Sequence, residues 1–221
     1  MTPSAQPKDA QLLAHKAEKA LWDALRTGRL RDGQFLSIAQ LVEILDCPIA
    51  ATREAVKQAS SHGLLSTLPK RGVQVMEAKP ETIRDCLDYR MVLDQEGARR
   101  RIATGAFDGL QDLRDRHVEM QVAARDDPGK DLPPRAIEVD LSLHNFLVEG
   151  LGNARLTDSY DANRMRVAII QNARPFLQDR VASAMNEHLA IIDALESRDA
   201  EAAVAALQYH CEQTQRWWGV V

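Results

Sequence analysis

Cysteine is scarce in this chain of 221 residues: Cys47, Cys86 and Cys211 are the only three, far apart and in no CxxC pair. That odd, scattered set argues against a disulfide framework or a thiolate zinc site and fits a reducing compartment. Glycine (11) and proline (9) are too few for collagen-like or low-complexity sequence. No stretch approaches the roughly 18 apolar residues of a membrane span, and the opening MTPSAQPKDA has no basic start followed by an apolar run. A cytoplasmic protein with no membrane partner is expected. HExxH, a GxSxG elbow, a Gly-rich phosphate loop and a Cys and His pair are all missing, so catalysis has little support and the chain reads as a non-enzyme. What is present is 45% apolar and 27% charged sequence, too apolar for a disordered chain and long enough for one or two cores.

Charge is unevenly spread. Through Lys79 there are 11 Lys or Arg against 8 Asp or Glu, a balance of +3, and the remainder carries 17 against 24, or -7. Any nucleic-acid contact is expected in the first third. There, AQLLAHKAEKALWDALR has helical spacing from about Lys8 to Arg26, Ser37 caps a short helix SIAQLVEILD, and a third helix runs from about Ile49 to His62, with Gly63 at its left-handed end. LLSTL and VQVME then alternate like strands around the turn PKRG. Three helices closed by a basic-tipped hairpin make a winged helix-turn-helix over residues 1–78, with the third helix in the major groove and the wing on the backbone.

Residues 79–221 read as an all-helical bundle, so the fold class is mainly α. The expected helices lie near 81–104, 108–125, 134–150, 154–173, 175–197 and 199–218, with DDPGKDLPP, from Asp126 to Pro134, as the clear long loop. Asp140 and His144 are four apart and share a helix face, which is metal-ligand spacing. His188 lies on the apolar stripe of Val181, Ala184, Met185, Ile191 and Leu195, and His210 lies between Leu207 and Thr214. With the last interhelical turn near Arg198, these two stand ten residues before it and twelve after. The mismatch is about 3 Å of helical rise, so their imidazoles can face each other.

Three nitrogens and a carboxylate oxygen suit a divalent ion, zinc or else nickel. The competing reading, a hydrogen-bonded core histidine, fits any one of them, but four together in one apolar bundle are costly unless a cation compensates them. His15, His62 and His117 are expected at the surface or incidental, and Glu187 is expected in solvent.

These residues resemble the GntR family of bacterial transcription regulators, in the FadR-type branch whose C-terminal ligand domain is the helical FCD domain. The resemblance rests on DLSLHNFLVEGLGN (Asp140 to Asn153), EHLAIIDALESRDAEAAVAAL and the closing His210, and in the front half on GRLRDGQFL, TREAV, HGLL and KRGVQV. Where family members have a Ser-Arg-Thr-Pro type segment, this chain has Pro48, Ile49, Ala50 and Ala51. Ile49 thus replaces a base-reading arginine and offers only apolar contact.

The resemblance implies operator DNA contacts from Ser37, Thr52, Arg53, Lys57, Arg71 and Gly72. It also implies a homodimer, and a small carboxylate metabolite bound over the metal with Arg90 or Arg166 as its partner. Arg53 in a salt bridge and Lys57 on a solvated face are the structural alternatives. The helix with Cys86, Leu87, Met91 and Val92 offers an apolar face for dimerisation, and Glu77 to Pro80 is the expected mechanical link. Two other functions stay open, a helical metal-dependent enzyme with a vestigial winged helix and a metabolite-binding or interaction module.

Overall fold

The computed structural model describes residues 7–126, 129, 131–174 and 177–220. It divides into two compact units, one of residues 1–79 with 164–173 and one of 80–163 with 174–221. The expected helix start at Pro175 lies outside the described residues.

In the first unit, α1 (Pro7–Arg26) packs against α3 (Ile49–Ser61), with α2 (Ile38–Leu45) between them in the chain. Ser37 starts α2 through a capping box. Its hydroxyl accepts from the Gln40 amide at 3.2 Å while Gln40 Oε1 accepts from the Ser37 amide at 2.8 Å, which satisfies two N–H groups that helix geometry leaves open. Asp46, left-handed at φ 48°, ends α2 and turns the chain toward α3. The hairpin of β2 (Leu65–Leu68) and β3 (Gly72–Val75) is joined by a two-residue strand that the sequence pattern does not predict, β1 (Phe35–Leu36). The antiparallel order is β1-β3-β2, with Leu36 opposite Val73 and Leu68 opposite Gly72. Gly72 is required: it sits at φ 105°, and a Cβ there would lie 2.1 Å from the Leu36 carbonyl oxygen. The core is built from Ala17, Leu21, Leu25, Leu41, Ala55, Leu64 and Val73. Met165 and Ile169, from the second half of α7 (Ala154–Ala173), complete it.

In the second unit, helices follow one another without a strand among the described residues: α4 (Pro80–Thr104), α5 (Leu110–Asp126), α6 (Leu132–Glu149), the first half of α7, α8 (Gln178–Glu196) and α9 (Ala200–Trp217). Of the expected loop 126–134, residues 127, 128 and 130 lie outside the described residues, and α6 starts two residues before the expected Pro134. Pro133 and Pro134 are accommodated in its first turn, where a missing N–H costs nothing. The packed pairs are α4 with α6, α8 and α9, α5 with α6 and α8, α6 with α8, and α8 with α9. Gly97 lets α4 touch α6, because a Cβ there would come within 2.0 Å of the Leu147 carbonyl oxygen. Cys86 and Leu87 are buried within this unit, so the apolar face expected for dimerisation is largely used inside the chain, and only Val92 is well exposed.

Candidate functional site

Asp140 and His144 on α6, His188 on α8 and His210 on α9 converge, with one donor atom from each lying within 4.8 Å of the others. All four are buried, at 0 to 4% exposure. The local cause is the spacing read from the sequence: a four-residue step stacks Asp140 under His144, and the α8–α9 hairpin brings His188 Nε2 to 3.4 Å from His210 Nε2. His188 Nε2 is also 3.5 Å from Asp140 Oδ1, and His144 Nε2 is 4.0 Å from it.

The hydrogen bonds around the cluster fix which nitrogens carry protons. His144 Nδ1 donates to Asp94 Oδ2 at 2.7 Å, and His210 Nδ1 donates to Glu187 Oε2 at 2.7 Å. Carboxylates only accept, so both protons sit on Nδ1 and both Nε2 atoms present lone pairs inward. Burial, followed by repulsion from His210, pushes His188 well below the usual imidazole range, and burial followed by Arg90 does the same to His210. Two lone pairs and a carboxylate therefore face one another in a buried interior, and His144 Nε2 has no hydrogen-bond partner among the described residues. The long contacts of Arg90 offset that arrangement only in part. A divalent cation turns each of the same groups into a donor, so these residues suit a metal ion.

Five further residues shape the site. Arg90 on α4 is buried, with Nη1 3.9 Å from Asp140 Oδ2 and Nη2 3.5 Å from His210 Nε2. Arg180 holds Glu187 in a fork at 2.5 and 3.0 Å and donates to the Thr214 hydroxyl at 2.8 Å. Glu187 is thus not in solvent as expected. It is 8% exposed, and burial raises its carboxyl above the usual range against the pull of Arg180. His117 is likewise not at the surface: it is fully buried on α5, its ring 5.2 Å from that of His188. Asp94, which the sequence pattern does not single out, lies four residues beyond Arg90 on a helix whose buried positions Arg90, Asp94, Gly97 and Arg101 step by three and four. That stripe is its signal, hidden because the stripe is polar.

Arg166, expected beside a bound metabolite, is elsewhere. It belongs to the first unit, where Nη2 donates to the His62 carbonyl at 2.7 Å just past the end of α3. Its length and charge serve a helix terminus. Thr52, expected to touch DNA, is fully buried and its hydroxyl donates to the Cys47 carbonyl at 3.3 Å, so its side chain is turned inward. The other expected DNA residues lie at or near the surface: Ser37, Arg53, Lys57 and Arg71 are exposed and Gly72 is half-buried. Arg53 and Lys57, one turn apart on α3, line a groove with Thr67, Lys70 and Gly72 of the wing. Glu54 pairs with Lys57 at 3.7 Å rather than with Arg53. Ile49, at the start of α3, is 53% exposed. No helix of the described residues is long and apolar enough to cross a membrane.

The family model of the FCD domain matches residues 85–213, the span that holds every residue of the histidine cluster. Among solved structures, the chain resembles E. coli McbR/YncC, with a TM-score of 0.75 and 19% identity over 91% of this chain and 94% of that one. It also resembles a transcriptional regulator GntR from Rhodococcus sp. RHA1, with a TM-score of 0.74 and 21% identity over 93% and 96%. Lar, which controls expression of the Listeria monocytogenes agr system, is more distant, with a TM-score of 0.58 and 11% identity over 93% and 95%. A comparison with curated proteins finds no match.

Proposed function

The chain belongs to the FCD-domain family, and from that premise we propose that it is a GntR-type transcription regulator whose helical unit holds a divalent metal and a small carboxylate that together set its affinity for operator DNA. The observation that carries this reading is the pair of lone pairs that Asp94 and Glu187 aim at Asp140 from His144 and His210. Asp140, His144, His188 and His210 would be the ligands, and three nitrogens with one carboxylate oxygen favour zinc, with nickel the runner-up. The ion would supply positive charge and a coordination position for an acid.

Charge balance supports a carboxylate effector. Asp94, Asp140 and Glu187 against Arg90 and Arg180, all buried, leave one negative charge, and a divalent ion makes the sum +1. A single carboxylate neutralises it, with Arg90 as its partner, since Arg90 is held only loosely where it stands. Arg53, Lys57 and Arg71 would meet phosphates or guanine edges, with Gly72 and the Ser37 region beside them. A homodimer in the cytoplasm reading an inverted repeat completes the proposal. The acid regulates only if it binds the DNA-competent and incompetent states unequally. Ile49 favours a second reading, in which the α3 surface reads sequence weakly or docks on protein, and salt-insensitive binding would select it.

Metal content and melting of the purified protein test the reading. Asp140→Ala and His210→Ala are expected to weaken metal binding by more than about 100-fold. They should also lose the stabilisation that a saturating ion gives, about 4 kcal/mol at a thousandfold excess over Kd. Full occupancy in both variants overturns it.

A further inference from the structure

We propose that His117 is the positioning residue for His188, its Nε2 accepting a hydrogen bond from His188 Nδ1 once the site is loaded. This rests on the metal reading above. His144 and His210 each have a carboxylate on Nδ1 at 2.7 Å, whereas His188 Nδ1 is buried with no hydrogen-bond partner among the described residues. When Nε2 of His188 serves an ion, the ring proton sits on Nδ1 and needs an acceptor, as ligating histidines generally have.

His117 offers one. Its own Nδ1 lies 2.7 Å from the Leu113 carbonyl, which only accepts, so Nδ1 carries the proton and Nε2 is a lone pair. That Nε2 is also buried without a partner among the described residues. The two rings are neighbours, with centroids 5.2 Å apart and planes at 61°, close enough for ring rotation to bring the nitrogens to the usual ~2.9 Å. One orphan needs an acceptor and the other needs a donor. A neutral imidazole here, in place of a third carboxylate, also preserves the +1 balance that draws an anion to the loaded site.

The test uses full-length protein stripped of metal and titrated with Co(II), read by visible absorption and by competition with a chromophoric chelator. His117→Phe is expected to weaken Co(II) binding 10- to 100-fold and to alter its absorption. His117→Gln, whose amide both accepts and donates, should recover most of the affinity. In zinc-loaded wild type, ¹⁵N NMR should show nitrogen–nitrogen coupling between His188 Nδ1 and His117 Nε2, a readout independent of whether any variant folds. Wild-type affinity and absorption in His117→Phe, or no such coupling, overturn the role of His117 while leaving the metal site intact. Failure of the wild type to bind Co(II) or zinc at all overturns the metal reading itself, and this inference with it.

Discussion

The two units treat charge in opposite ways. In the first, the cations of α3 and the wing stand in solvent, and its buried polar side chains among the described residues are Thr52 and Gln171. In the second, Arg90, Asp94, Asp140, Arg180 and Glu187 are all inside, together with four histidines. Exposed charge is cheap and adaptable, which suits a polyanion, whereas buried charge is tolerated only when every group is compensated. Arg101 shows full compensation. It donates to the Phe146 and Ala106 carbonyls at 2.5 and 2.8 Å and lies over the Phe146 ring at 3.6 Å, so its place is structural. Arg90, one face with it on the same helix, has only long contacts and retains capacity for a ligand.

The sharpest way to break this contrast is acid. In metal-free protein, burial lowers His117, His188 and His210 from their ordinary value of 6.5. The unfolded chain then binds protons there that the folded one does not, so stability falls as pH drops below about 6.5. The loss grows with each pH unit below that, most from His188 and His210, which lie well below the ordinary value. Glu187, raised from 4.5, works in the other direction at the acid end. Melting curves from pH 7.5 to 5.5 should show the loss in the helical unit, and saturating zinc should suppress it. A flat profile would mean the histidines are not buried as a neutral set.

Packing comes next in size. Gly97→Ala should destabilise the helical unit by about 3 kcal/mol, since its Cβ would drive α4 off the Leu147 carbonyl, and denaturant melts of the metal-free protein measure it. DNA affinity is the mildest probe. Arg53→Ala and Arg71→Ala are each expected to weaken binding about tenfold, and each phosphate left without its cation should lower the salt slope by about 1. Titrations at several salt concentrations check this, and affinity unchanged in both would separate the α3 and wing surface from DNA recognition.

The architecture was largely legible in the sequence because the helices carry 3.6-residue apolar stripes and clear stops. The cluster was legible where its members share a helix, as Asp140 and His144 do, or flank one turn, as His188 and His210 do. Asp94 and His117 were not, because their partners are 50 or more residues away, and Arg180 was not, because its partners Glu187 and Thr214 meet it on a buried face of α8 that is itself charged. Glu187 failed for a related reason: it adjoins His188 on α8, and the buried arc of a helix packed on several neighbours is wider than one stripe. Thr52 and Arg166 were misplaced because a helix pattern gives the side of a residue without saying which backbone group it will meet. β1, two residues long, has no periodicity to read.

The burial of all four donors also bears on time. Side chains exposed by only 0 to 4% are screened from solvent, so an ion held there would exchange slowly, aided by parting of the helices. Its residence would then follow the rate of local opening rather than the free metal concentration of the moment. An ion that exchanged so slowly would be blind to brief swings in supply and would serve as a fixture of the bundle rather than as a signal.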